Sequence, residues 1–115
     1  DQVVELKGIK VLVTEVKGQD MNALRNLGDS LKDKLGQAAV LLASVQDGKV
    51  SLVAMMTEEA TKAGLSAGDI IKQVAPIVGG GGGGKPQMAQ AGGKLPEKVA
   101  DALAEGLKLI ESKLK

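Results

Sequence analysis

The chain has 115 residues, 43% hydrophobic and 25% charged, the proportions of a single globular domain and not of a disordered segment. It contains no Cys, His, Phe, Tyr or Trp. Their absence excludes disulfides, Cys- or His-ligated metals, nucleophilic triads with a His base, and the aromatic platforms on which many RNA-binding modules stack bases. Lys and Arg number 15 against 14 Asp and Glu, a net charge of +1, so no global field recruits a polyanion.

No apolar run approaches the roughly 18 to 20 residues that span a bilayer, and no charged-then-apolar signal segment opens the chain. The first residue is Asp1, not Met. A processed chain is one reading; a domain cut from something larger is the favoured one.

Residues 3–16 alternate as strands do. Val4 and Leu6 oppose Glu5 and Lys7, Gly8 can bend or bulge the chain, and Ile9, Val11 and Val13 share one face. Asp20 then precedes Met21, Leu24, Leu27, Leu31 and Leu35, a helical stripe with Asp20 as N-cap and Gly36 just past the end. Strand, helix, strand in that order predicts a parallel crossover. The most apolar stretch, 38–56, is cut by Asp47 and Gly48, a tight-turn signal that predicts a hairpin. In its second strand Val50, Leu52, Ala54 and Met56 face one way, Val53 and Met55 the other. Both faces are apolar, so helices should cover both sides. Thr57 is expected to cap a short helix ending at Gly64. Ser66, with Asp69 three residues on, starts another that carries Ile70, Val74, Ile77 and Val78, with Pro76 ending or kinking it. The final helix begins at Pro96 and places Val99, Leu103, Leu107, Ile110 and Leu114 on one stripe. Residues 1–115 are therefore expected to form one α/β (α+β) domain, a mixed sheet of four or five strands covered by helices, with a Gly-rich loop before the C-terminal amphipathic helix.

That loop, 79–94, holds eight of the sixteen glycines: Gly79, Gly80, Gly81, Gly82, Gly83, Gly84, Gly92 and Gly93. From Lys72 to Pro96 there is no acidic residue but three lysines, Lys72, Lys85 and Lys94. Taken alone the run reads as an exposed linker, yet six consecutive glycines are entropically a costly spacer inside a folded domain. What they permit is close approach of backbone to another surface. Two nucleotide-binding patterns match only by accident. Any six-glycine run satisfies G-x-G-x-x-G, and the Walker-type match beginning at Gly79 meets Pro86 where a hydroxyl residue is required. The small residues, the lysines that bracket them, and the amides of Gln87 and Gln90 instead suit sequence-independent phosphate and sugar contacts. On this reading Ala at Gly81, Gly82 and Gly83 together should leave folding intact, since none lies on an apolar stripe.

GGGGGGKPQMAQAGG, residues 79–93, resembles the signature of the C-terminal domain of bacterial alanyl-tRNA synthetases, called C-Ala, one of the DHH-associated domains that also occur in certain exonucleases and oligoribonucleases. The resemblance covers the whole chain in element order. In the exonuclease branch the corresponding loop carries a His after the glycines. Here Lys85 occupies that place, which argues for the synthetase branch. What the resemblance implies is a cytoplasmic tRNA-binding module that holds the outer corner of tRNA(Ala), where the D and T loops meet, in support of aminoacylation and editing. It implies contacts from Gly79, Gly80, Gly81, Gly82, Gly83, Gly84, Lys85, Gln87, Gln90, Gly92, Gly93 and Lys94, and the remaining domains of a parent synthetase as partners. It implies no catalytic site and no cofactor in this chain, whereas the full-length ligase would use ATP, magnesium and zinc.

Other clusters read as ordinary surface. Asp29 and Asp33 share a helix face but lie among Lys32 and Lys34, and Glu58 and Glu59 complement a helix dipole. Lys10, Lys17 and Arg25 read as solvated charges. Lys98, Lys108, Lys113 and Lys115 are candidates to assist RNA binding. The alternative function is a protein-interaction or dimerisation domain that uses the Gly loop or the final helix; no membrane partner is expected.

Overall fold

The computed structural model describes residues 3–114. In chain order it has β1 (Val3–Leu6), β2 (Ile9–Glu15), α1 (Met21–Leu35), β3 (Ala38–Gln46), β4 (Lys49–Met56), α2 (Glu58–Lys62), α3 (Ala67–Val74), β5 (Gly81–Gly84), β6 (Met88–Gly93) and α4 (Val99–Leu114), with 3-10 turns at Ala75–Val78 and Pro96–Lys98. The strands form one sheet in the order β1-β2-β3-β4-β6-β5. β2 and β3 run parallel across the α1 crossover, and the other neighbouring pairs are antiparallel.

Two-residue turns set two of the hairpins. Lys7 and Gly8 have φ of 52° and 79°, Asp47 and Gly48 54° and 75°, the two positive values that a type I′ turn requires. Gly8 is thus the second residue of a tight turn and not a bulge. Asp20 caps α1 by accepting from the Ala23 N–H at 2.8 Å, and Ser66 caps α3 by accepting from Asp69 N–H at 3.3 Å. Thr57 stands at the N-cap position of α2 but does not cap it. Its hydroxyl accepts from Ala38 N–H at 2.9 Å and reaches the Ala38 carbonyl at 3.3 Å, tying the end of β4 to the start of β3.

The core has two layers. On one face of the sheet Ala38, Val40, Leu42, Val53 and Met55 meet Leu24 and the partly buried Leu27, Leu31 and Leu35 of α1. On the other, Ala39, Leu41, Ala43, Val50, Leu52, Ala54 and Met56 meet Ile70, Ile71 and Val74 of α3 and Val99, Ala102, Ile110 and Leu114 of α4. The alternation expected along β4 is the one observed, and with no aromatic residue the core is filled by aliphatic and Met side chains. The stripe of α4 is centred differently: Ala102 and Gly106 are buried, while Leu103 and Leu107 flank the contact.

The domain is mixed α and β, as expected, but the sheet has six strands and not four or five. The additional strands come from the segment expected as a loop, since 81–84 and 88–93 pair as β5 and β6. Glycine carries little strand propensity and no alternation, so the segment has no strand signal of its own. The open edge of β4 supplies one by pairing with β6, which satisfies backbone groups that a loop would leave to water.

Candidate nucleic-acid interface

The glycine segment is held at both ends. At its turn, the N-terminal amides of α3 donate to it: Ala67 N–H to the Pro86 carbonyl at 2.8 Å and Gly68 N–H to the Lys85 carbonyl at 3.1 Å. Met56 N–H donates to the Gln87 carbonyl at 2.9 Å. At the other end Lys94 and Leu95 both donate to the Val78 carbonyl, at 2.8 and 2.9 Å, and Gly80 donates to Ala75 at 3.1 Å. The N-terminus of α3, where an anion would otherwise be favoured, is therefore filled by the chain's own carbonyls.

Register decides which way each residue faces. Met88 opposes Met55, Gln90 opposes Val53 and Gly92 opposes Ser51, so Met88, Gln90 and Gly92 lie on the α1 side of the sheet. Gly83 and Gly81 oppose Gln90 and Gly92 and share that side. Helix α1 lies over β3 and β4, and of β6 only Met88 joins the core cluster on that side. What remains beyond it is a shelf made of Gly81, Gly83, Gly92 and the half-buried Gln90 and Ser51. A Cβ placed at Gly81 or Gly83 would meet no atom within 4 Å, whereas one at Gly82 would stand 2.2 Å from the Gln90 carbonyl oxygen. The two strands thus lie closer than side chains allow, and the outer face is bare backbone. The triple Ala replacement, harmless by the sequence pattern, is harmless only at positions 81 and 83.

Cations rim the shelf. Lys85 is exposed in the turn and Lys94 is exposed one residue past β6, so they lie at opposite ends, about 20 Å apart at 3.3 Å per strand residue. Lys49 lines a concavity with Ser51, Gly79, Gly80, Gly92, Gly93 and Lys94. At the turn end, Lys32 of α1 lines a second concavity with Pro86 and Gln87. Arg25, two helical turns before Lys32, projects from the same flank. Ion pairs among the described residues are weak and exposed: Lys32 with Asp29 at 3.7 Å, Lys62 with Glu58 at 3.6 Å and Lys98 with Asp101 at 3.8 Å. Lys49, Lys85 and Lys94 enter none of these.

The backbone donors are fewer than the glycine count suggests. The N–H groups of Gly79, Gly80, Lys85 and Lys94 are spent inside the chain. Because Lys85 N–H bonds to Met88, the alternation of an antiparallel pair turns the N–H and C=O of Gly82 toward the free edge of β5, while the Gly84 carbonyl lies against Gly68 of α3. Gln87 and Gln90, grouped by sequence, are separated: Gln87 sits at the turn and Gln90 mid-shelf. Lys108 and Lys113 are carried by α4 on the opposite side of the sheet, and Lys115 lies outside the described residues. Lys49, Ser51 and Lys32 were not singled out from sequence. Only the pairing of β4 with β6 and the packing of α1 bring them to the shelf.

The DHHA1 domain profile matches residues 8–112, from the first turn through the hairpin and most of α4. The chain belongs to the DHHA1 family. Over all 115 residues this DHHA1 chain is 52% identical to alanine–tRNA ligase 1 of Lachnoclostridium phytofermentans, of which it spans 13%. It is 50% identical over 103 residues to the alanine–tRNA ligase of Bacillus subtilis, covering 90% of this chain and 12% of that protein. Among solved structures it is similar to the C-Ala domain of Aquifex aeolicus alanyl-tRNA synthetase, with a TM-score of 0.80 and 27% identity over 99% of this chain and 98% of that one.

The DHHA1 chain has neither His nor Cys, and no group of three or more acidic side chains gathers among the described residues. No helix of the described residues is long and apolar enough to cross a membrane.

Proposed function

We propose that this DHHA1 chain is the tRNA-binding domain of a cytoplasmic alanine–tRNA ligase, holding the outer corner of tRNA(Ala), where the D and T loops meet, so that the aminoacylation and editing domains of the same protein act on one tRNA. The observation that carries the reading is the shelf: a glycine-rich strand face open to solvent and rimmed by Lys49, Lys85 and Lys94, which enter no ion pair among the described residues. Such a surface suits a folded RNA, because backbone can approach closely and the cations can meet phosphates, with no aromatic side chain to stack on a splayed base. Gly79, Gly80, Gly81, Gly82, Gly83, Gly84, Lys85, Gln87, Gln90, Gly92, Gly93 and Lys94 make up the proposed contact segment. The full-length relatives, of which this chain spans about an eighth, support the assignment to a ligase, and ATP, magnesium and zinc belong to its other domains.

The test is affinity for intact tRNA, for a tRNA whose D-loop and T-loop pairing is disrupted, and for a duplex RNA of equal length. Strong weakening by corner disruption, with little effect of loop base changes that preserve the fold, is the expected result. Equal binding of intact and corner-disrupted tRNA would end this reading. The second reading, self-association, is favoured by one observation: β5 is an edge strand with no side chains, open to strand addition. The stripe of α4 does not favour it, since Val99, Ala102, Ile110 and Leu114 are buried in the core. A concentration-dependent dimer in sedimentation, lost on adding tRNA, would support that version.

A further inference from the structure

The concavity at the far end of the shelf has features that the glycine run does not explain. It measures about 420 Å³ and is lined by Lys49, Val50, Ser51, Gly79, Gly80, Gly92, Gly93 and Lys94. Its two lysines stand at the start of β4 and one residue past the end of β6. Val50 and Gly93 form the last pair of the β4 and β6 ladder, and Lys49 and Lys94 both stand just beyond it, lining the same concavity. Val50 points to the α3 and α4 layer, which turns Lys49 to the shelf side. Two ammonium groups lining one concavity repel each other. Among the described residues neither lysine forms an ion pair, and Asp47, two residues before Lys49 in the turn, is paired with neither.

We propose that this concavity is a phosphate-binding site for the RNA backbone, with Lys49 and Lys94 as its cationic pair and the Ser51 hydroxyl beside them. An anion between the two ammonium groups converts a repulsion into two charge-assisted contacts. The floor of Gly79, Gly80, Gly92 and Gly93 leaves no side chain to hold the phosphate off. The amides of Gly79, Gly80 and Lys94 are already engaged, so the lysines and not a backbone nest carry the contact. The inference rests on the RNA-binding reading above and adds to it a residue, Lys49, that lies 30 positions before the glycine run in sequence.

The core closes within the described residues, so the 115-residue chain serves as the test protein. The variants are Lys49→Ala, Lys49→Arg, and Lys108→Ala on the opposite side of the sheet, which removes the same charge. Binding of tRNA is measured across a salt series, with circular dichroism confirming the fold. Lys49→Ala is expected to weaken binding about tenfold near 0.1 M salt and to reduce the salt slope by about 1. Lys49→Arg should retain most of the affinity and Lys108→Ala all of it. In a second arm, inorganic phosphate should shift the amide resonances of Gly79, Gly80, Gly92 and Gly93 in the parent but not in Lys49→Ala, and tRNA should compete with it. If the parent binds tRNA and Lys49→Ala matches it in affinity and slope, the site is wrong while the RNA-binding reading stands. Equal losses in Lys49→Ala and Lys108→Ala would reduce the effect to overall charge and overturn the site. Phosphate binding that tRNA does not displace would make it a free-anion site and overturn its assignment to RNA. A parent chain that binds no tRNA under any condition overturns both.

Discussion

Alanine substitutions in β5 separate contact from fold, because neighbouring glycines there face different surroundings. At Gly82 an added Cβ would stand 2.2 Å from the Gln90 carbonyl oxygen and 2.5 Å from the Ala91 Cβ. Ordinary carbon contacts lie near 3.5–4.0 Å, so β5 must move away from β6 by more than about 1 Å. The obstructing atoms belong largely to backbone and cannot rotate aside. Overpacking of this kind costs about 1–3 kcal/mol, and the upper half of that range applies to Gly82→Ala. In a domain near this size each kcal/mol lowers the melting temperature by about 4–8 °C. At Gly81 and Gly83 nothing lies within 4 Å and neither residue has positive φ. Alanine there narrows the unfolded ensemble and should stabilise the chain by about 0.4–1 kcal/mol per site. The same two methyl groups stand on the face proposed to meet RNA, so the double variant should lose tRNA affinity about tenfold or more, roughly 1.4 kcal/mol. Urea or thermal unfolding beside tRNA affinity, measured on Gly82→Ala and on Gly81→Ala/Gly83→Ala, reads both quantities. A double variant that binds as the parent does refutes the shelf as the contact face. A Gly82→Ala chain as stable as the double variant refutes the close approach of β5 to β6.

Lys85→Ala removes one exposed charge at the turn and should cost less affinity than the Gly81/Gly83 double variant, with a loss that shrinks as salt rises; equal losses at high salt would count against this. With few lysines on the shelf, the slope of log affinity against log salt should lie at about −2 to −4, and a slope near −8 would require a basic surface elsewhere or binding as an oligomer. Gly106→Ala brings a Cβ against the Leu41 Cδ2, so the buried Leu41 side chain must repack, at a cost of about 1–3 kcal/mol in unfolding free energy. Thr57→Val leaves the Ala38 N–H without its side-chain acceptor and should destabilise by about 1–3 kcal/mol, although the residue sits at a helix N-cap position where loss of a cap would be the usual explanation.

The parts of this protein that were legible in the sequence are those fixed by residues close together in the chain. The stripe from Met21 to Leu35, the cap at Asp20, the Asp47 and Gly48 turn and the two-faced pattern of Val50 to Met56 each depend on spacing of 2, 3 or 4 residues, which secondary structure converts directly into a face. The family was legible for a different reason: a run of glycine followed by lysine and small residues is unusual enough to carry a family resemblance by itself.

What only the tertiary structure decided is where that run goes and what lies beside it. Six glycines have no side chains with which to signal strand or loop, and the choice was made by the unpaired edge of β4 and by the amides of α3 that hold the Lys85 and Pro86 carbonyls. Once β6 is paired to β4, Gly81 and Gly83 become open, Gly82 becomes closed, and Lys49 and Lys94 come to line one concavity. The same limit explains Thr57, whose hydroxyl serves Ala38, nineteen residues away, in preference to its own helix. A hydrogen bond or a strand pair between distant segments depends on backbone geometry that adjacent residues do not encode, and so the shelf and its rim exist only in the folded chain.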